Sequence, residues 1–267
     1  MNNGNWEPFW LGSAARPLYA ALHAVPGVAT TGVVLVPPLL DEQPRSRRFI
    51  TEVANELAGL GLPSLRFDFL GTGDSCGRGD EVDFQSMRCD LDLATAALRA
   101  RTGARRVVLV AWRGAALVVH DWLARGGKAD LVVLWEALAD GADWLERLVR
   151  ADAAARVTLP APRPGVPRPS DAPDGQLMGF MVSARLRHDL ARARLEGPRR
   201  ADGSRMWAVA REEDPPSPVQ FERVVPLPAS APRLEGGASM AGTLFMTPPM
   251  RELVRGLGSS IRATPWA

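Results

Sequence analysis

Three short runs of aliphatic, mostly β-branched residues constrain this chain more than any other feature. Gly32–Val36 reads GVVLV, Arg106–Ala111 reads RVVLVA and Leu131–Trp135 reads LVVLW. A strand that is apolar at every position is buried on both faces, which is the habit of a parallel sheet covered by helices on either side. Two weaker runs, Pro63–Phe67 and Arg205–Ala210, extend the series. Helical spacing of apolar residues lies between them. Ser46–Leu60 carries Phe49, Ile50, Val53 and Leu57 before Gly61, and Phe84–Arg101 carries Met87, Leu91, Ala94 and Leu98 before Gly103. Ala115–Ala124 and Asp143–Ala155 follow the same rule. Strands alternating with helices predict βαβ units and a mostly parallel sheet flanked by helices. Pro17–Val25 is expected as an antiparallel strand beside Gly32–Val36.

The rhythm then breaks. Leu159–Pro173 is rich in proline and predicts an extended connection. Gln176–Leu195 reads as a helix, with Leu177, Phe180, Met181, Leu186 and Leu190 on one side. The expected organisation is a core built from 1–139 and 204–267, with 140–203 inserted as a cap. A second proline-rich stretch covers Pro215–Pro232, and a last helix is predicted over Pro248–Leu257. At 267 residues, one domain with an insertion has enough chain to bury a sizeable core.

Composition removes several classes of function. The formal net charge is only +2, and the basic residues are arginines apart from Lys128, with no basic face interleaved with aromatics. Nucleic acid is therefore not an expected partner. Cys76 and Cys89 are too few for a disulfide framework or a structural zinc site, and nothing in the sequence implies a metal or other cofactor. No run reaches the about 18 apolar residues of a membrane helix. The N-terminus lacks the pattern of a signal peptide, so a cytoplasmic protein is expected.

Three loops could carry chemistry. The first, Asp68–Gly77 (DFLGTGDSCG), follows a strand; its glycines permit tight turns and close backbone approach. Asp68, Gly71, Gly73 and Ser75 match the loop after strand four of the α/β-hydrolase superfamily, in its serine-aminopeptidase-like branch. That resemblance implies a structural loop near the site. The second is Ala111-Trp112-Arg113-Gly114-Ala115. Hydrolases of this superfamily place G-x-S-x-G here, on a sharp turn between strand and helix. Small residues, Ala111 and Ala115, hold the two glycine positions, but Arg113 stands where the nucleophilic serine belongs. A guanidinium is protonated at any working pH and cannot attack a carbonyl. The third, Ala210–Pro218 (AREEDPPSP), resembles the loop that supplies the triad acid, with Asp214 at that position. The triad histidine should follow it. His23, His120 and His188 all precede it.

With serine and histidine both displaced, the ordinary triad cannot operate as a unit. Ser75 and Cys76 are substitute nucleophiles to weigh. Arg113 has two readings. At a helix N-terminus it could hold a carboxylate or phosphate; alternatively it pairs with a buried carboxylate, for which Asp214 is the expected partner.

Taken together, these motifs resemble the second hydrolase-like family associated with the exosortase A system of Gram-negative bacteria. The block from Pro38 to Phe49 (PLLDEQPRSRRF), the AWRGAAL elbow and Leu134–Gly141 (LWEALADG) carry the resemblance. Asp41, Pro44 and Ala137 depart from the family pattern. The resemblance implies an α/β-hydrolase fold and acyl or acyl-thioester chemistry in exopolysaccharide metabolism. It also implies a small acyl or anionic ligand, with an acyl carrier protein as a candidate partner; a homodimer is a separate expectation. Arg113, Trp112, Gly114 and Leu39 are the expected substrate-binding residues, with the backbone near Leu39 and Gly114 as the remnant of an oxyanion hole. Two other readings stay open. One is an inactive scaffold that binds a partner through an exposed apolar face at 176–195; the other is an active esterase or thioesterase with an unconventional nucleophile.

Overall fold

The computed structural model describes residues 6–158, 175–196, 204–214, 217–233 and 244–266. Its centre is an eight-stranded sheet. The strands are β1 (Trp6–Leu11), β2 (Leu18–His23), β3 (Thr31–Val36), β4 (Ser64–Phe67), β5 (Arg106–Trp112) and β6 (Leu131–Trp135). A hairpin of β7 (Gln176–Leu177) and β8 (Phe180–Met181) stands apart, and β9 (Arg205–Ala210) and β10 (Arg223–Pro226) complete the sheet. The order is β1-β2-β4-β3-β5-β6-β9-β10. From β4 to β10 every pair is parallel, while β1 and β2 add an antiparallel edge.

The register explains the unbroken apolar runs. Val34 pairs with Leu109, Val110 with Val133, and Val133 with Trp207. Side chains alternate across the sheet, so each run feeds two cores. Val34, Val36, Leu109, Ala111, Val132 and Leu134 join the layer of α2 (Phe84–Thr102) and α3 (Ala115–Ala124). Val33, Leu35, Val108, Val110, Trp112, Val133 and Trp135 join the layer of α1 (Glu42–Gly59) and α6 (Pro248–Arg262). The last helix is longer than the predicted Pro248–Leu257 because Ile261 continues the buried stripe of Met250, Val254 and Leu257. Between β6 and β9 lie α4 (Gly141–Thr158), the β7–β8 hairpin and α5 (Ala184–Arg192).

Three expectations change. The strand near Pro17–Val25 does form, but β2 pairs with β1 and β4, not with β3. Trp6–Leu11 was not foreseen as a strand, because it is an exposed edge with a proline in it. Gln176–Leu195 is not one helix. Met178 takes a positive φ of 53° and turns the chain into the hairpin, and the helix starts only at Ser183, whose hydroxyl caps Leu186 N–H. Within the second proline-rich stretch, Arg223–Pro226 pairs with β9 as an edge strand. The predicted connection 159–173 lies outside the described residues. No helix among the described residues is long and apolar enough to cross a membrane.

Candidate active site

The site is assembled where β3, β5 and β6 end. Each of these strands is followed by a non-glycine residue with positive φ: Leu40 at 56°, Arg113 at 53° and Glu136 at 44°. Such backbone costs about 1–3 kcal/mol per residue and persists only where the surroundings enforce it. At Arg113 they do. Its N–H donates to Trp135 O at 3.0 Å, and its carbonyl accepts from Ala116 N at 3.1 Å. The turn then passes into α3 through Gly114, where a Cβ would come within 2.6 Å of the Trp144 ring. The sharp strand-to-helix elbow is therefore present, with arginine at its apex.

The Arg113 side chain folds back into the protein. Nε donates to Glu42 Oε1 at 3.2 Å and Nη1 donates to the Glu136 carbonyl at 3.3 Å. The two side chains of the ion pair are 8% and 5% exposed. The carboxylate partner is thus Glu42, in the first turn of α1, and not Asp214. The chain places Glu42 there because the turn at Leu40 aims α1 at the elbow. Asp41 lies beside it, also buried and 3.6 Å from Arg45. Burial pushes the Asp41 carboxyl above the usual range, against the opposing pull of Arg45 and Arg113.

Asp214 occupies a tight turn after β9. Its carboxylate accepts Arg211 N–H at 2.9 Å, and its own N–H donates to Arg211 O. The acid loop is fixed by a second buried pair: Arg211 Nε meets Glu136 Oε1 at 2.7 Å, and Arg211 Nη2 donates to the carbonyls of Ala231 and Pro232. Arg113 and Asp214 both line one cleft of about 360 Å³. Its apolar part is formed by Ala137, Leu138, Leu195 and Phe221, and its polar part includes Asp140, Asp143, Arg147 and Arg233.

Other predicted residues lie elsewhere. Trp112 points to the α1/α6 side, against Trp135 with ring centroids 5.6 Å apart. It is a core residue because the strand alternation that turns Ala111 one way turns Trp112 the other. Leu39 is buried in the α2/α3 core. In the glycine loop, Asp68 accepts from Arg47 at 3.1 Å, Gln43 at 3.1 Å and Asp74 N–H at 3.0 Å. Ser75 donates to Asp68 O and accepts from Tyr19 N–H, so its hydroxyl ties the loop to β2. Cys76 is half-buried, and its backbone pairs with Pro17 and Gly71. Neither Ser75 nor Cys76 lines the cleft.

No histidine reaches it either. His23 Nδ1–H donates to Asn55 at 2.8 Å and its Nε2 accepts from Arg66. His120 Nε2–H donates to Glu196 O at 3.0 Å, and His188 lies on α5 in another cavity. Sequence reasoning missed Glu42, Glu136 and Arg211 as members of the site. The available signal was position: each stands within a few residues of a strand end.

No family model matches the chain, and no curated protein matches it by sequence. Solved structures do match in shape. DcsB, determined with a substrate analogue, is 13% identical with a TM-score of 0.61, covering 98% of this chain and 100% of its own. Est1E from Butyrivibrio proteoclasticus, with ferulic acid bound, is 12% identical with a TM-score of 0.58, covering 96% and 100%. A hydrolase-like protein from Agrobacterium vitis is 14% identical with a TM-score of 0.53, covering 97% and 98%. With the strand order and the elbow, these define the α/β-hydrolase fold for this chain.

Proposed function

We propose that this chain is a hydrolase-fold protein that binds a small acyl metabolite without triad chemistry. The carrying observation is the strained elbow, where a buried Arg113–Glu42 pair occupies the place of a nucleophile. The pair neutralises the guanidinium internally. Arg113 therefore shapes the cleft floor. Leu138, Leu195 and Phe221 suit an acyl chain. A neutral ester or thioester fits better than a free acid, because Asp140, Asp143 and Asp214 share the same cleft. The described part of 140–203 borders the cleft through Asp143 and Arg147 of α4, which supports reading the insertion as a cap. DcsB was determined with a substrate analogue and Est1E with ferulic acid, which supports ligand binding on this fold. The setting in exopolysaccharide metabolism, with the acyl group free or on an acyl carrier protein, rests on the sequence resemblance to the exosortase A-associated family. At 176–195, Leu177, Val182, Leu186 and Leu190 are buried, so this segment lends no support to a partner-binding scaffold.

The test uses a thioester that carries no phosphate, the N-acetylcysteamine thioester of octanoate. It should raise the melting temperature of the wild type by several degrees, and Phe221→Ala should remove most of that shift. Neither the wild type nor Arg113→Ser should hydrolyse nitrophenyl butyrate, since no histidine reaches the elbow. Turnover by the wild type, or an unchanged shift in Phe221→Ala, overturns the reading.

A further inference from the structure

A second cavity, of about 440 Å³, opens between α2, α3 and α5. It is separate from the elbow cleft; the Arg194–Asp140 ion pair, at 2.6 Å, joins the two neighbourhoods. Its lining is strongly basic. Arg88 comes from α2, Arg125 from the end of α3, and Arg192 and Arg194 from α5 and the residues after it, with His120 and His188 between them.

The carboxylates in the cavity are already engaged. Asp121 is held by both Arg88 and Arg125. Asp189 accepts the Phe84 N–H at 2.9 Å, at the start of α2. Arg194 is committed to Asp140. Arg192 and His188 therefore face the cavity with no carboxylate among the described residues engaged to either. Four arginines face Asp121 and Asp189 in the lining and Asp140 beside it, so one positive charge is left over even with both histidines neutral.

Cationic and N–H donor groups from three helices thus border one open cavity. A carboxylate offers two acceptor oxygens along one edge. A phosphate offers at least three, directed to several sides, and matches guanidinium forks arriving from different elements. We infer that this cavity is a binding site for a phosphate or phosphate-ester anion. The inference does not depend on what the elbow cleft binds.

Calorimetric titration of the full chain with inorganic pyrophosphate, at fixed ionic strength, tests it. The wild type should bind, and Arg192→Gln should weaken binding by about tenfold or more. His188→Gln should weaken it further when combined with Arg192→Gln. Both positions are exposed, so the variants keep the core intact. Arg185→Gln, an exposed arginine on the same helix that does not line the cavity, should bind like the wild type. Adenosine 3′,5′-bisphosphate, run in parallel, separates the sources. Tighter binding than pyrophosphate points to a nucleotide-borne phosphate, and equal binding points to the free anion. No heat from the wild type with any phosphate overturns the site. So does equal affinity in Arg192→Gln, or a loss as large in Arg185→Gln.

Discussion

A guanidinium that is 8% exposed must be compensated where it stands, because moving an uncompensated charge out of water costs several kcal/mol. Glu42 supplies the charge and the Glu136 carbonyl supplies a further acceptor. Glu42→Gln removes the charge and leaves the guanidinium buried. It should destabilise the fold by about 3–5 kcal/mol, read as a fall in the urea midpoint at unchanged slope. Glu42→Leu combined with Arg113→Met removes both charges together and should recover most of that loss. An unchanged midpoint in Glu42→Gln would mean that the pair does not hold the elbow. Arg113 itself was legible in the sequence because the small residues around it mark the elbow. Its partner was not. Glu42 is 71 residues away, and only the turn at Leu40 brings the start of α1 to the end of β5. Asp214 looked the better partner by analogy with the triad, yet its carboxylate is spent on the N–H of Arg211.

Elements were read well where burial alone determines them. The five runs expected as strands all lie in the sheet, since a segment apolar on both faces has few other stable places. Elements failed where backbone geometry overrides periodicity. Gln176–Leu195 has helical spacing, but two glycines and the positive φ of Met178 make a hairpin first. β1 and β10 are edges, with prolines and exposed positions, and carry little pattern. The glycine loop is the element whose chemistry was most legible. Gly73 has φ of 53°, and a Cβ there would fall 2.1 Å from Asp68 Oδ2. Gly73→Ala must displace the carboxylate that Arg47, Gln43 and Asp74 N–H all bind. It should cost about 2 kcal/mol or more in denaturant unfolding. Ser75→Ala, which removes one hydroxyl at a tolerant backbone position, should cost clearly less. The reverse order would show that the loop is held by Ser75 and not by the approach of its backbone to Asp68.

At the scale of the whole molecule, two buried groups on the β1/β2 side of the sheet set opposing responses to pH. Burial lowers the His23 pKa to about 4, reinforced by Arg66 and resisted by the bond to Asn55. The unfolded imidazole takes its proton near 6.5, so between pH 6.5 and 4 the unfolded chain binds more protons. His23 therefore contributes stability that is present above pH 6.5 and lost as pH falls towards 4. Asp90 acts the other way. Burial raises its pKa to about 6, while Leu70 N–H and Arg16 oppose the rise. The folded chain holds this proton between about pH 4 and 6, so the stability Asp90 contributes is present in acid and lost as pH rises through 6. Each shift is worth about 3 kcal/mol at full effect. The two should nearly cancel between pH 4 and 6, with Asp41 and Asp68, also raised by burial, leaning to the side of Asp90. Single variants separate them. In Asp90→Asn the balancing carboxyl is gone, and the stability measured by urea unfolding should fall, relative to the wild type, as pH drops from 6.5 to 4. In His23→Gln the stability should rise, relative to the wild type, over the same interval. If the two variants follow the wild-type curve in parallel, neither proton is linked to folding. The acid response would then belong to the carboxylates of the exposed ion pairs.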